Sequence, residues 1–369
     1  MSKKHNYKSV LAAVRTRLAD ATYPSGTLLP AENQLAQEFG VSRPTVARAY
    51  DQLAAEGLVS KKRGVGTIAS QHPVACSSLP TPYTFGLMLP GAGESEIFAD
   101  INDQIIRQAE SIGFSCECEG TTANNAETRS MMALSSMQSY IAKKVDGIFF
   151  APFERVRNID AVNKAVCDLA RQAHIPMVLI DRDIVAPPMR SSFDLVSLDN
   201  TTAASLMAHH MIAAGCRNIY FFANSHSAYS VNIRQRAVKI TVIEAGFDFY
   251  DQSYICGDPK DMNVVRNIPI IRRQTGIICA NDATAAILMS SLAELGYVCG
   301  TDYLLSGFDD MKYSSFLTTP LTTYRQPCTE IANVSIDLLM RRIKTPDSHP
   351  LTVLLEGEMV ERMSTGFKK

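Results

Sequence analysis

The chain has 369 residues, 46% hydrophobic and 20% charged, with a formal net charge of −1. That length predicts two or three domains, and that composition excludes disorder throughout and supplies a sizeable core. No apolar run approaches the ~18 residues of a membrane span, and Arg15 and Arg17 interrupt the apolar stretch near the start, so no signal peptide is expected. The near-neutral total divides unevenly: residues 1–70 hold ten Lys/Arg against five Asp/Glu, and the remainder 26 against 32. A basic head on a mildly acidic body suggests one module that meets a polyanion and one that does not.

In chain order, Tyr7, Val10, Leu11, Val14 and Leu18 form one helical stripe within 5–21, which Pro24, Ser25 and Gly26 end. A second helix is predicted from near Pro30 to Gly40. Ser42 suits the N-cap of a third, with Val46, Tyr50 and Leu53 as its buried stripe and Gly57 closing it. A short strand at 58–60, a basic glycine-containing turn and a return at 67–69 complete a winged helix-turn-helix over 1–70. Residues 71–82 read as a Ser- and Pro-rich linker.

Beyond the linker, strands are predicted at 84–89, 147–151, 177–180, 218–223, 276–279 and 303–308. Amphipathic helices are predicted between them at 99–112, 127–143, 158–173, 201–214 and 283–295. This alternation predicts an α/β fold of parallel sheets covered by helices. Nearly 290 residues exceed one comfortable core, which predicts two lobes. The nine cysteines show no CxxC pair, so reduced cytosolic thiols, a cytoplasmic protein and no metal site are expected.

The run LLPAENQLAQEFGVSRPTVARAYDQLAAEGLV (28–59) and the wing RGVGT (63–67) resemble the DNA-binding head of the GntR family. The runs FDLVSLDNTTAA (193–204), ICANDATAA (278–286), LLSGFDD (304–310), PLTTYRQP (320–327) and LLEGEMVERMSTG (354–366) resemble the effector domain of LacI-type repressors. That domain is periplasmic-binding-protein-like, and the combination resembles arabinose-repressor-type regulators. The resemblance implies one lobe of about 83–192 with 328–352, and another of about 193–327 with 353–369. It implies no cofactor.

A helix N-terminus that enters the major groove can reach base edges, which here offers Ser42, Arg43, Pro44 and Thr45, with Arg48 one turn on. Arg43 is the first choice for a bidentate pair with guanine. Lys62 and Arg63 suit phosphate or the minor groove, Gly64 and Gly66 let the wing run close to the duplex, and Glu32 opens the second helix. For the body, the resemblance places Arg234, Asn281, Asp309 and Gln326 as cleft residues, joined from the first lobe by Asp181, Arg182 and Phe98.

These readings imply a homodimeric repressor that binds double-stranded operator DNA and is controlled by a small molecule, most simply a sugar. No GxSxG, HExxH or P-loop points to an enzyme acting on sugars or nucleotides. GVGTIA (64–69) fits a dinucleotide fingerprint only superficially, because that fingerprint needs a strand before it and a helix after it within a βαβ unit, whereas here a basic triplet precedes and SQHP follows. An architectural DNA-binding protein with a vestigial cleft is the remaining alternative.

Overall fold

The computed structural model describes residues 7–19, 23, 26–55, 59–62, 66–69, 83–90, 96–118, 126–153, 159–225 and 227–366. The chain divides into two units, 1–82 and 83–369.

The first unit holds α1 (Tyr7–Ala19), α2 (Glu32–Phe39), α3 (Arg43–Ala55), β1 (Val59–Lys62) and β2 (Gly66–Ala69). α2 starts two residues after Pro30, and Gly40 ends it at φ 61°, the left-handed conformation that glycine adopts without penalty. Ser42 immediately precedes α3. Its carbonyl accepts from Thr45 N at 3.0 Å, and its hydroxyl lies 2.8 Å from that of Thr45. β1 and β2 pair antiparallel, with Val59 opposite Ala69. Val10, Val14, Leu35, Val46, Tyr50 and Leu53 form the core. The Tyr50 hydroxyl donates to Pro30 O at 2.7 Å, so the buried ring keeps its polar end satisfied.

The second unit begins with β3 (Thr84–Met88), α4 (Glu96–Ile112), β4 (Ser115–Cys118), α5 (Ala126–Lys143), β5 (Gly147–Phe150), α6 (Ile159–Gln172), β6 (Met177–Ile180) and β7 (Asp194–Leu198). There follow α7 (Asn200–Ala213), β8 (Asn218–Ala223), α8 (Tyr229–Glu244), β9 (Tyr254–Cys256), α9 (Met262–Val265), β10 (Thr275–Cys279), α10 (Asp282–Glu294) and β11 (Leu304–Phe308). The unit closes with β12 (Thr322–Arg325), α11 (Cys328–Lys344), β13 (Thr352–Leu355) and β14 (Glu358–Val360).

These strands form two six-stranded sheets, ordered β13-β7-β6-β5-β3-β4 and β14-β12-β11-β10-β8-β9. Every neighbouring pair is parallel except β12 and β14. Apolar clusters lie on both faces of each sheet, which is why central strands such as β5 and β6 read as continuous apolar runs.

The lobe boundaries expected at 193 and 353 are corrected. Both β7 and β13 belong to the first sheet, so the crossovers fall at Asp199, at Gln326–Pro327 and at Glu356–Gly357. β7 escapes sequence reading because it carries Asp194 and Ser197 among its apolar residues. Both are buried and partnered: the Asp194 carboxylate accepts from Arg342 Nε at 2.8 Å and Leu351 N at 2.7 Å, and Ser197 Oγ donates to Asp181 O at 2.6 Å. The crossovers also bond to one another, since Asp199 N donates to Leu355 O at 2.8 Å.

Candidate functional site

Parallel sheets present their strand C-termini to a crevice. Here β6 leads to Asp181, β10 leads to Asn281, β11 leads to Asp309 and β12 leads to Gln326. These four line one cleft between the lobes, together with Phe98, Arg182 and Arg234. All seven cleft residues expected from the sequence are thus brought to one place. The cleft encloses about 90 Å³. Ser230, Val231, Met311 and Tyr313 join the lining and were not expected.

Arg234 is 4% exposed, and its aim is set from three sides. Nε donates to Asn200 Oδ1 at 2.7 Å, Nη1 donates to Ala280 O at 2.7 Å, and the guanidinium lies 4.3 Å from the centre of the Phe308 ring. Asn281 Oδ1 accepts from Thr284 N at 2.9 Å and so caps α10 while its side chain borders the cleft. Gln326 Nε2 donates to Asp309 Oδ1 at 2.7 Å. On the opposite wall Arg182 Nε donates to Asp181 Oδ2 at 2.6 Å, and the Arg182 guanidinium lies 5.6 Å from the centre of the Phe98 ring. Asp181 and Asp309 have φ of 72° and 106°, conformations that cost a non-glycine residue about 1–3 kcal/mol and gather at functional sites.

Two aspartates next to the cleft residues Asn281 and Asp309 hold the surrounding segments in place. Asp310 pairs with Arg325 Nε at 2.7 Å and Arg362 Nη2 at 2.6 Å. Asp282 is fully buried and accepts from Thr323 Oγ1 at 2.6 Å, Ser314 Oγ at 2.7 Å and Met311 N at 2.9 Å. It thereby fixes the segment that supplies Met311 and Tyr313 to the cleft. Burial, and then the neighbouring charge of Asp309, push its carboxyl up to about 7 against the pull of those three donors.

In the first unit, Ser42, Arg43, Pro44 and Arg48 are exposed on or beside the start of α3, and Thr45 is half-buried. Arg43 Nε donates to Glu32 Oε2 at 2.9 Å while its side chain stays largely exposed. Arg48 lies 4.8 Å from the centre of the Tyr7 ring. Lys62 ends β1, and Gly66 opens β2 at φ 129° against Leu28. Arg63 and Gly64 lie outside the described residues. Among the described residues no helix is long and apolar enough to cross a membrane, and no cluster of three or more His, Cys, Asp or Glu stands ready for a metal ion.

Residues 6–68 match the family described as bacterial regulatory proteins, gntR family, and residues 208–365 match the periplasmic binding protein-like domain. The chain joins a GntR-family head to a periplasmic-binding-protein-like body. It is 26% identical over 350 residues to the arabinose metabolism transcriptional repressor of Geobacillus stearothermophilus, covering 91% of each chain. The body shares its fold with a LacI-family transcriptional regulator from Enterococcus faecium with bound ribose (TM-score 0.62, 20% identity, 78% of this chain and all of that one). The GntR head and the body together align with a transcriptional regulator CelR–cellobiose complex (TM-score 0.65, 16% identity, 99% of this chain and all of that one).

Ser230 and Tyr313 in the cleft, and Asn200 behind Arg234, are polar residues that sequence reading passed over. Asn200 lies inside FDLVSLDNTTAA, a run that served only as a family marker. Ser230 carried no local signal.

Proposed function

We propose that the protein is a DNA-binding transcriptional repressor whose operator affinity is set by a sugar held between the lobes of its body. The observation that carries this reading is the convergence of Arg234, Asn281, Asp309, Gln326, Asp181, Arg182 and Phe98 on one cleft. Guanidinium, amide and carboxylate groups offer the mixed donors and acceptors that vicinal hydroxyls need, and an unmatched partner would leave a buried polar group unpaired. Phe98 supplies the apolar surface for a sugar face. The names of the relatives favour a pentose, with L-arabinose and D-ribose as first candidates.

In the head, Arg43 is the base-reading residue, with Ser42, Thr45, Arg48, Lys62, Arg63 and the glycine-bearing wing holding the duplex. The protein acts in the cytoplasm as a homodimer on two half-sites, and closure of the lobes around the sugar alters the freedom of the paired heads.

Thermal unfolding with and without each sugar, repeated for Arg234→Ala, tests the cleft. A ligand at 100 times its dissociation constant stabilises by about 2.7 kcal/mol, and the variant is expected to lose that shift. Duplex binding that weakens steeply with salt tests the head. Salt-independent or absent duplex binding would overturn the DNA-binding reading.

A further inference from the structure

Asn200 sits at the first crossover, one residue after the hinge residue Asp199, and is 4% exposed. Its amide is engaged at both ends. Nδ2 donates to Leu198 O at 3.0 Å and to Ser197 Oγ at 3.4 Å, while Oδ1 accepts from Arg234 Nε at 2.7 Å. Leu198 and Ser197 lie on β7 in the first sheet, whereas Arg234 lies on α8 against the second. Ser197 Oγ passes the chain on to Asp181 O at 2.6 Å, and Arg234 Nη1 bonds Ala280 O at 2.7 Å on the other side. The donors all point the same way, from Arg234 through Asn200 and Ser197 to Asp181, so each bond polarises the next. The chain links the two walls of the cleft through the hinge itself.

We propose that Asn200 is the positioning residue that couples occupancy of the cleft to the angle between the lobes. A rotation at Asp199 carries Leu198 O and Ser197 with the first sheet and leaves Arg234 with the second. One short amide satisfies both ends only over a narrow range of lobe angles. A ligand that holds Arg234 selects that range, and the range in turn sets the affinity for the ligand, because coupling between two events is reciprocal. The coupling rests on the cleft being the effector site as proposed above; the positioning of Arg234 by Asn200 does not.

Two substitutions separate the functions. Asn200→Asp keeps an acceptor for Arg234 and replaces the Nδ2 donor by an oxygen facing the Leu198 carbonyl. Asn200→Ala removes both ends. In the full-length protein, with L-arabinose and D-ribose as probes, calorimetry is expected to show Asn200→Asp binding within about threefold of wild type and Asn200→Ala at least about tenfold weaker, the span of a ~1.4 kcal/mol loss. Hydrogen exchange at 199–203 is expected to slow on sugar addition in wild type but not in Asn200→Asp. Sugar-induced protection in Asn200→Asp equal to wild type, or wild-type binding by Asn200→Ala, overturns the proposal. A ligand-free arm reads the Arg234 Nε–H nuclear magnetic resonance signal, assigned by its loss in Arg234→Lys. Slow exchange with water is expected in wild type and Asn200→Asp and fast exchange in Asn200→Ala; slow exchange in Asn200→Ala overturns the positioning. If neither sugar binds wild type, it is the sugar reading that fails, and this signal still upholds or overturns the positioning.

Discussion

Gly307 packs its α-carbon against the buried carboxylate of Asp282. A Cβ at position 307 would run into Asp282 Oδ1, and would also meet Asp282 Cα at 3.1 Å and N at 3.2 Å. Asp282 cannot withdraw, because Thr323, Ser314 and Met311 hold both its oxygens. Gly307→Ala is therefore expected to cost about 1–3 kcal/mol of stability by overpacking, read as a lower denaturant midpoint. Sugar affinity is expected to fall with it, since the displaced carboxylate anchors the Met311–Tyr313 wall of the cleft. A midpoint equal to wild type would show that α10 yields at this contact.

The same carboxylate makes stability depend on pH. Its folded-state value, about 7, lies above the 3.8 of an ordinary aspartate. Between those values the folded chain holds a proton that the unfolded chain has released, so this group's contribution falls as pH rises from about 4 to about 7 and then levels off. Asp282→Asn keeps the shape and removes the titration. The difference between wild-type and Asp282→Asn midpoints, followed across that window, is expected to shift against wild type as pH rises. Parallel curves would mean that the three donors keep the carboxylate ionised throughout.

Tyr229, the first residue of α8, donates its hydroxyl to Asp160 Oδ2 of α6 at 3.1 Å. This contact joins the two lobes beside the cleft. A net hydrogen bond of about 1 kcal/mol corresponds to roughly a fivefold change in rate. Tyr229→Phe is expected to speed dissociation of a bound sugar by up to that factor in stopped-flow measurements, with little effect on the unliganded unfolding midpoint. An unchanged dissociation rate would remove Tyr229 from the closing contact.

In the head, the Glu32 carboxylate holds the Arg43 guanidinium by one nitrogen. Arg43→Ala is expected to cost about 1–3 kcal/mol on the operator and much less on unrelated duplexes. Glu32→Gln leaves the arginine charge unopposed and is expected to strengthen binding to unrelated duplexes with a steeper salt dependence. Anisotropy titrations at two salt concentrations measure both. Weaker binding of every duplex by Glu32→Gln would instead make Glu32 itself a DNA contact.

Much of this architecture was legible. The central strands β5, β6 and β8 carry uninterrupted apolar runs, and Gly40, Ser42 and Pro44 punctuate the head as their conformational preferences require. β7 and β12 were not legible, because each carries polar residues that are buried and satisfied by partners elsewhere in the chain, such as Asp194 by Arg342 and Thr323 by Asp282. Periodicity reports which side of an element faces water, and it is silent about a polar side chain that finds its partner on a distant element. The cleft residues were found through family runs. Asn200 was missed because its importance lies in what it touches across the hinge.

The three crossovers have a consequence for biosynthesis. The first sheet lacks an edge strand until β13 emerges, and the second until β14, although most of both sheets is made long before. No continuous cut through residues 83–366 isolates a complete lobe. On the ribosome the small helical head can fold as soon as it clears the exit, while the body must wait, with unpaired strand edges, for β13 and β14. A growing chain of this design is a finished winged helix-turn-helix trailing an unfinished two-lobed body, and a premature stop would release the former without the latter.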